Sequence, residues 1–160
     1  MSRRAQITMS AGEVETFLAD QRVVICATAG PRGWPHLMPL WYTIRDDEIW
    51  TWTYAKSQKV RNLERDPRAT LQIEAGEAYP ELRGVMLECE VLVHRDGATV
   101  APLGEEILLR NSAGRGEPQP SELPLQARAM VKAQAAKRVG LEFVEQRRAS
   151  WDHRKLGGAY

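Results

Sequence analysis

The sequence predicts a small, mainly β protein, a β-barrel with helices at its margins. Three observations lead to this prediction. Apolar and β-branched runs of strand length recur at short, regular intervals. The first three runs are joined by turns too short for crossover helices, which excludes regularly alternating strands and helices. Residues 83–96 alternate apolar and polar side chains with the period of two that is typical of a half-buried strand.

The N-terminal third predicts one helix followed by three strands. Residues 10–19 favour a helix, because Ser10 and Glu13 have the spacing of a capping box and three apolar residues share one face. Pro39 inside the second strand indicates an edge, a bulge or the close approach of another group. The strands are predicted over residues 23–28, 36–44 and 49–54, with "GPRGWP" and "DDE" as the turns between them.

The remaining residues predict three more strands and three helices. The helices are expected over residues 57–66, 97–110 (interrupted by Pro102) and 125–138, and the strands over 69–74, 83–96 and 139–152. Residues 111–124 are rich in Gly and Pro and predict an exposed loop. Since no repeat or break in composition is visible, residues 1–160 are predicted to form one domain with a short mobile N-terminus.

Composition excludes some functions. The chain of 160 residues has 22 Lys and Arg against 21 Asp and Glu, a formal net charge of +1 that argues against general nucleic-acid binding. No apolar run has the length of a membrane span, and the N-terminus lacks the apolar core of a signal peptide. We therefore expect a cytoplasmic protein without a membrane partner. Cys26 and Cys89 have no metal-ligand or redox spacing and are expected to be buried free thiols.

Cations cluster around the start of the third predicted helix, in "TYAKSQKVRNLERDPR" (53–68). Ser57 is a suitable N-cap, yet Lys59 and Arg61 follow it, at the end where the helix dipole is already positive. One interpretation is a solvated basic face. The other is an anion site, in which the first-turn N–H groups, the two cations and the hydroxyls of Thr53 and Ser57 bind a phosphorylated small molecule.

No catalytic motif or metal site is evident. His36, His94 and His153 share no spacing and have no acidic ligand cluster nearby, so a metal centre is not expected. Walker, Gly-x-Ser-x-Gly and Cys–His patterns are also missing from the sequence. Catalytic residues are therefore left unassigned.

Several segments together resemble one family. "TYAKSQK" has the form Thr-x-x-x-Ser-x-Lys and resembles the phosphate-binding turn of the pyridoxamine 5'-phosphate oxidase-like split barrels. "FLADQRVVICAT" and "GWPHLMPLWYT" are similar to the first helix and first two strands of this family, although Cys89 stands where the family's long strand is expected to have glycine. "SWDHRKLGG" resembles the C-terminal signature of the branch that includes oxidoreductases dependent on coenzyme F420, a deazaflavin.

The resemblance implies a fold and a set of binding residues. The fold would be a six-stranded Greek-key split barrel, assembled as a homodimer with the cofactor in a groove between the subunits. The residues that carry over as cofactor-binding are Pro39, Leu40 and Trp41 facing the ring, Thr53, Ser57, Lys59 and Arg61 at the phosphate, Asn62 beside them, and Trp151 and Arg154 approaching the cofactor of the other subunit.

The resemblance also implies a function. We expect an F420-dependent oxidoreductase that transfers a hydride between the cofactor and a planar or unsaturated small-molecule substrate, with FMN as the alternative cofactor. Lys56 and Arg61 suit the long anionic tail of F420. Since the cofactor would carry the reactive chemistry, a proton would come from solvent, from Tyr42 or from a residue that the sequence does not identify. A binding module for a flavin, deazaflavin or tetrapyrrole without turnover is the second hypothesis, and pyridoxamine phosphate oxidation is the third.

Overall fold

The computed structural model describes residues 2–114 and 117–157, which form six strands, five α-helices and two single turns of 3-10 helix. The strands are β1 (Val23–Ala29), β2 (Pro35–Arg45), β3 (Glu48–Tyr54), β4 (Arg68–Ala75), β5 (Arg83–His94) and β6 (Arg138–Asp152). The helices are α1 (Arg3–Ile7), α2 (Ala11–Asp20), α3 (Gln58–Arg65), α4 (Gly97–Asn111) and α5 (Leu125–Ala135). The 3-10 turns are Tyr79–Glu81 and His153–Leu156.

The six strands close into an antiparallel barrel in the order β1-β2-β3-β6-β5-β4. This confirms the predicted mainly β fold with flanking helices and six-stranded split barrel. The last strand, β6, lies between β3 and β5. Asp46 and Asp47 form the β2–β3 turn with φ of 50° and 66°, the conformation that a two-residue hairpin requires.

The barrel is split along the seam between β2 and β3. These strands pair only where residues 42–45 of β2 face residues 48–51 of β3. Beyond that point, residues 35–41 pair with β1 alone, and residues 52–54 pair with β6 alone. Each strand therefore presents one backbone edge to the opening, which creates room for a ligand between them.

The helices fit the predicted positions with two differences. Asp96 caps α4 by accepting a hydrogen bond from the Thr99 N–H, and α4 continues through Pro102 without a break, so the predicted interruption is wrong. Pro102 lies in the second turn of α4, where its missing N–H removes one backbone hydrogen bond. The N-terminal segment, predicted to be mobile, contains α1, and Lys155 donates to the carbonyl of Thr8 just after it.

No described helix is long and apolar enough to cross a membrane.

The core fills the barrel and is closed by α2 and α3. Val14 and Phe17 of α2 and Val60 of α3 are buried among the inward-facing strand residues. Cys26 and Cys89 are buried free thiols, as predicted, and burial raises the pKa of each to about 12. Both are therefore neutral packing groups at neutral pH.

Candidate functional site

A cavity of about 570 Å³ lies beside the split, between β2, β3 and the paired helices α4 and α5. Its walls are largely apolar and include two exposed or half-buried indoles, Trp41 and Trp52. The lining residues are Val23, Pro39, Leu40, Trp41, Trp52, Gly104, Ile107, Leu108, Met130, Val131, Gln134 and Arg138. The three residues expected to face a cofactor ring, Pro39, Leu40 and Trp41, thus lie together on one wall.

The close approach of α4 to Trp52 shapes this cavity. A Cβ on Gly104 would lie 2.4 Å from the Cζ3 atom of Trp52, so only glycine permits the observed contact. On the same helix, Leu103 and Ile107 are buried with Trp50 of β3. The position of Trp52 is therefore set by the packing of α4 on β3.

The N-terminus of α3 lies at the same end of β3. Ser57 occupies the N-cap position as predicted, and its hydroxyl makes no capping hydrogen bond. Its Oγ atom is buried and has no partner among the described residues. A helix leaves the N–H groups of its first turn unpaired. A ligand at this terminus could therefore bind both these N–H groups and the buried Ser57 hydroxyl.

Lys59 places a buried cation beside this helix terminus. Its side chain is only 6% exposed, and Nζ donates a hydrogen bond of 2.9 Å to Thr53 Oγ1. Burial lowers the pKa of Lys59, and the positive charge of Arg138 lowers it further. No carboxylate lies within ion-pair distance of Lys59 in residues 2–114 and 117–157. An anion bound here would offset an otherwise uncompensated charge.

The other residues of the predicted phosphate set differ in their availability. Arg61 is exposed on α3. Asn62 is fully buried and its amide is engaged, since it donates to Thr28 Oγ1 and accepts from Gln58 and Arg65. Asn62 therefore connects α3 to β1 in this structure, while Thr53, Ser57 and Lys59 lie at the end of β3 and Arg61 lies one turn after Ser57 on the exposed side of α3.

Trp151 and Arg154 lie elsewhere in the chain. The site is near Arg138, where β6 begins, whereas Trp151 stands at the opposite end of β6 and pairs with Gly84. Arg154 binds the buried carboxylate of Asp152 through its Nε and a terminal nitrogen, at 2.9 and 2.6 Å. Within one chain these two residues do not meet the cavity.

Arg138 is a site residue that sequence reasoning missed. Its guanidinium carbon lies 4.3 Å from the centroid of the Trp52 ring and 4.2 Å from that of Tyr54, and the side chain lines the cavity. The Nε atom is buried without a hydrogen-bond partner among the described residues. Nothing local in the sequence marks Arg138, because its position follows from the pairing of Tyr54 with Arg138 across β3 and β6.

Tyr42 is remote from the cavity chemistry. Its side chain is fully buried on the inner side of β2, and the hydroxyl donates a 2.6 Å hydrogen bond to the carbonyl of Leu18. Burial raises the pKa of Tyr42 to about 12. A hydroxyl committed to α2 does not reach a ligand in the cavity, and this geometry argues against Tyr42 as a proton donor.

Replacement of Tyr42 by Phe tests this assignment. We expect Tyr42→Phe to lower the free energy of unfolding by about 1 kcal/mol, since a buried hydrogen bond is lost while Arg110 still donates to the Leu18 carbonyl. Urea unfolding measures this change. Cofactor affinity and turnover should equal those of the unmodified protein; a large loss of turnover at unchanged stability would contradict the structural role.

Comparison with known proteins decides the family. The sequence model described as pyridoxamine 5'-phosphate oxidase matches residues 10–140, which include β1 to β5 and the start of β6. The chain belongs to the pyridoxamine 5'-phosphate oxidase family. The resemblance read from "TYAKSQK" and its neighbours is thereby confirmed. No curated protein matches this family member.

Several solved structures share the fold of this member of the pyridoxamine 5'-phosphate oxidase family. The conserved hypothetical protein Rv2991 from Mycobacterium tuberculosis is 38% identical, with a TM-score of 0.86 over 100% of this chain and 95% of that one. An F420 reductase is 18% identical, with a TM-score of 0.62 over 84% and 94%. HutZ, the heme storage protein from Vibrio cholerae, is 11% identical, with a TM-score of 0.64 over 86% and 90%. The last two show the fold alone.

Proposed function

We propose that this protein is an oxidoreductase that binds coenzyme F420 and transfers a hydride between it and a planar or unsaturated organic substrate. The observation that carries the proposal is the buried Ser57 hydroxyl, which has no hydrogen-bond partner in the described part of the chain, near the buried Lys59 ammonium. Family membership and the fold shared with an F420 reductase support it.

The residues at the α3 N-terminus fit the phosphate of such a cofactor. Lys59 supplies a desolvated positive charge, Ser57 a free hydroxyl, and Arg61 an exposed guanidinium at the rim. The first turn of α3 contains no acidic residue that would repel an anion. Helix N–H groups and charge-assisted hydrogen bonds are the usual means by which proteins bind phosphate.

The cavity fits the ring of the cofactor and an apolar substrate. Pro39, Leu40 and Trp41 form one wall and Trp52 another, all close to the end of β3 where the phosphate would bind. When bound, reduced F420 supplies the hydride. The protein orients the reactants between the walls. Because no carboxylate, histidine or tyrosine lines the described cavity, the proton is proposed to come from solvent.

We further propose that two copies assemble around this site. Val23, Leu37, Met38 and Trp41 are exposed apolar residues on or near the β1–β2 surface, and residues 35–41 have a free backbone edge. A second copy covering this surface would bury the indole of Trp41. Trp151 and Arg154, which are remote from the cavity of their own chain, would then be available to the partner's cofactor.

Two alternatives use the same site. FMN carries a phosphate that suits Ser57 and Lys59 but lacks the longer tail for which Lys56 and Arg61 would be available. The second alternative is cofactor binding without turnover, because HutZ shows that a heme storage protein has this fold.

A side-by-side titration with F420 and with FMN tests the proposal. We expect F420 to bind more tightly, one per chain, with quenching of tryptophan fluorescence because Trp41 and Trp52 line the cavity. Size-exclusion chromatography with light scattering should give the mass of two chains. Tighter binding of FMN would favour the flavin alternative, and failure of both cofactors to bind would overturn the proposal. F420 binding without oxidation of F420H2 across a substrate panel would favour the storage alternative.

A further inference from the structure

The cavity described above has one charged residue in its wall, Arg138. Its guanidinium lies over the rings of Trp52 and Tyr54 at 4.3 and 4.2 Å. Such stacking uses the faces of the guanidinium and leaves its N–H edge for hydrogen bonds in the plane. The two rings therefore restrict the direction in which Arg138 can bind an acceptor.

Among the residues that the structure describes, none accepts a side-chain hydrogen bond from that N–H edge. Nε is buried and unpartnered, and no ion pair or side-chain hydrogen bond involves Arg138 in the described parts of the chain. By contrast, the other arginines with an unpartnered buried Nε, Arg22 and Arg110, donate to backbone carbonyls through their terminal nitrogens. The two rings thus hold the Arg138 side chain in place, while its N–H groups make no side-chain hydrogen bond to the described residues.

The surroundings of Arg138 favour an anion as the missing acceptor. Its charge is close enough to lower the pKa of the buried Lys59, and in residues 2–114 and 117–157 neither cation has a carboxylate within ion-pair distance. Gln134 is the other polar side chain on the cavity wall, and the rest is apolar or aromatic. This combination suits a ligand with a flat apolar body and one anionic group.

We propose that Arg138 binds the carboxylate of the substrate, and that the substrates are planar organic anions. The inference rests on the proposed function, because it places the substrate beside the cofactor. The cofactor phosphate is assigned to Lys59, Ser57 and Arg61 at the α3 N-terminus. Arg138 acts separately from these residues. A planar guanidinium can hold a carboxylate through two parallel N–H bonds, which also orients the ring attached to it.

The test compares an aromatic carboxylate with its neutral counterpart, 2-naphthoate against 2-naphthamide. Both are titrated into the protein without cofactor and into protein mixed with excess F420, and binding is followed by NMR of the tryptophan indole and arginine Nε–H signals. We expect 2-naphthoate to bind at least about fivefold more tightly than 2-naphthamide and to shift the Arg138 Nε–H signal.

Three variants separate the role of Arg138 from other effects. Arg138→Met should abolish the preference for the carboxylate while the affinity for F420 changes by less than about twofold. Arg138→Lys should retain only part of the preference for the carboxylate, since an ammonium offers no planar edge. If Arg138→Met does not fold, Arg138→Lys replaces it in the test. Arg128→Met, on the exposed face of α5 and paired with Glu105, should behave as the unmodified protein.

Each outcome decides a different point. Equal affinity for the two naphthalene compounds, or no binding of either, would overturn the assignment. An equal loss of F420 and 2-naphthoate affinity in Arg138→Met would assign Arg138 to the cofactor's own anionic tail, which also overturns it. If neither F420 nor FMN binds while the carboxylate preference still depends on Arg138, the assignment of Arg138 stands and the proposed function fails.

Discussion

Replacing Lys59 by Met together with Arg61 by Gln should weaken F420 binding at least about tenfold. Hydrogen bonds to charged groups contribute about 1.5–3 kcal/mol, and the double variant removes both cations that follow Ser57. Fluorescence titration measures the affinity. Because Lys59 is buried and its hydrogen bond ends on the neutral Thr53 hydroxyl, the Met side chain can fill the same space without leaving a charge unpaired.

Two controls make this result specific to the phosphate. The ribityl deazaflavin that lacks the phosphate tail should bind the double variant and the unmodified protein with similar affinity. Arg95→Gln, an exposed arginine paired with Glu64 on the outer side of α3, should leave F420 affinity unchanged. Unaltered F420 affinity in a folded double variant would assign Lys59 and Arg61 to a solvated basic surface.

Gly84→Ala should be strongly destabilising. A Cβ at Gly84 would lie 2.4 Å from Cζ2 of Trp151 and 2.8 Å from the carbonyl oxygen of Ile73, so both an indole and the neighbouring strand obstruct it. Such overpacking costs about 1–3 kcal/mol, and each kcal/mol lowers Tm by about 2–4 °C in a chain of this length. Calorimetry measures the change in Tm.

Gly12→Ala is the matched control for this substitution. Gly12 lies in the first turn of α2, and a Cβ there meets no atom within 4 Å. Its Tm should be unchanged or slightly higher, because alanine is the better helix former. If Gly84→Ala and Gly12→Ala had the same Tm, the indole of Trp151 would not be packed against Gly84 in solution.

The strands and helices could be predicted because their signals are local. The alternation over residues 83–96 and the capping box at Ser10 and Glu13 both correspond to elements of the structure, with small differences at the ends. The Pro102 prediction failed because proline removes a single hydrogen bond from α4, while the burial of Leu103 and Ile107 against β3 holds the helix in place. The six-stranded barrel was predicted from the family resemblance, whereas the order of its strands was not predicted, as local patterns do not specify which distant strands pair.

The candidate site likewise contains residues that the local sequence reveals and residues that it does not. Thr53, Ser57 and Lys59 could be recognised because they lie within one short stretch of sequence, at a strand end and a helix start. Arg138 could not, since its place beside Trp52 and Tyr54 depends on strand register. The unused capping bond of Ser57 was also hidden, because the identity of an N-cap residue does not reveal where its hydroxyl points.

The place of β6 between β3 and β5 has a consequence for folding kinetics. Every hydrogen bond that β6 makes to β3 joins residues far apart in sequence, as in the pair Tyr54 and Arg138. Closing so long a loop costs entropy before the contacts that stabilise it can form, and β-rich chains of this topology refold in milliseconds to seconds. The β1–β2–β3 hairpins can assemble early, whereas the wall that carries Arg138 is completed only when β6 inserts.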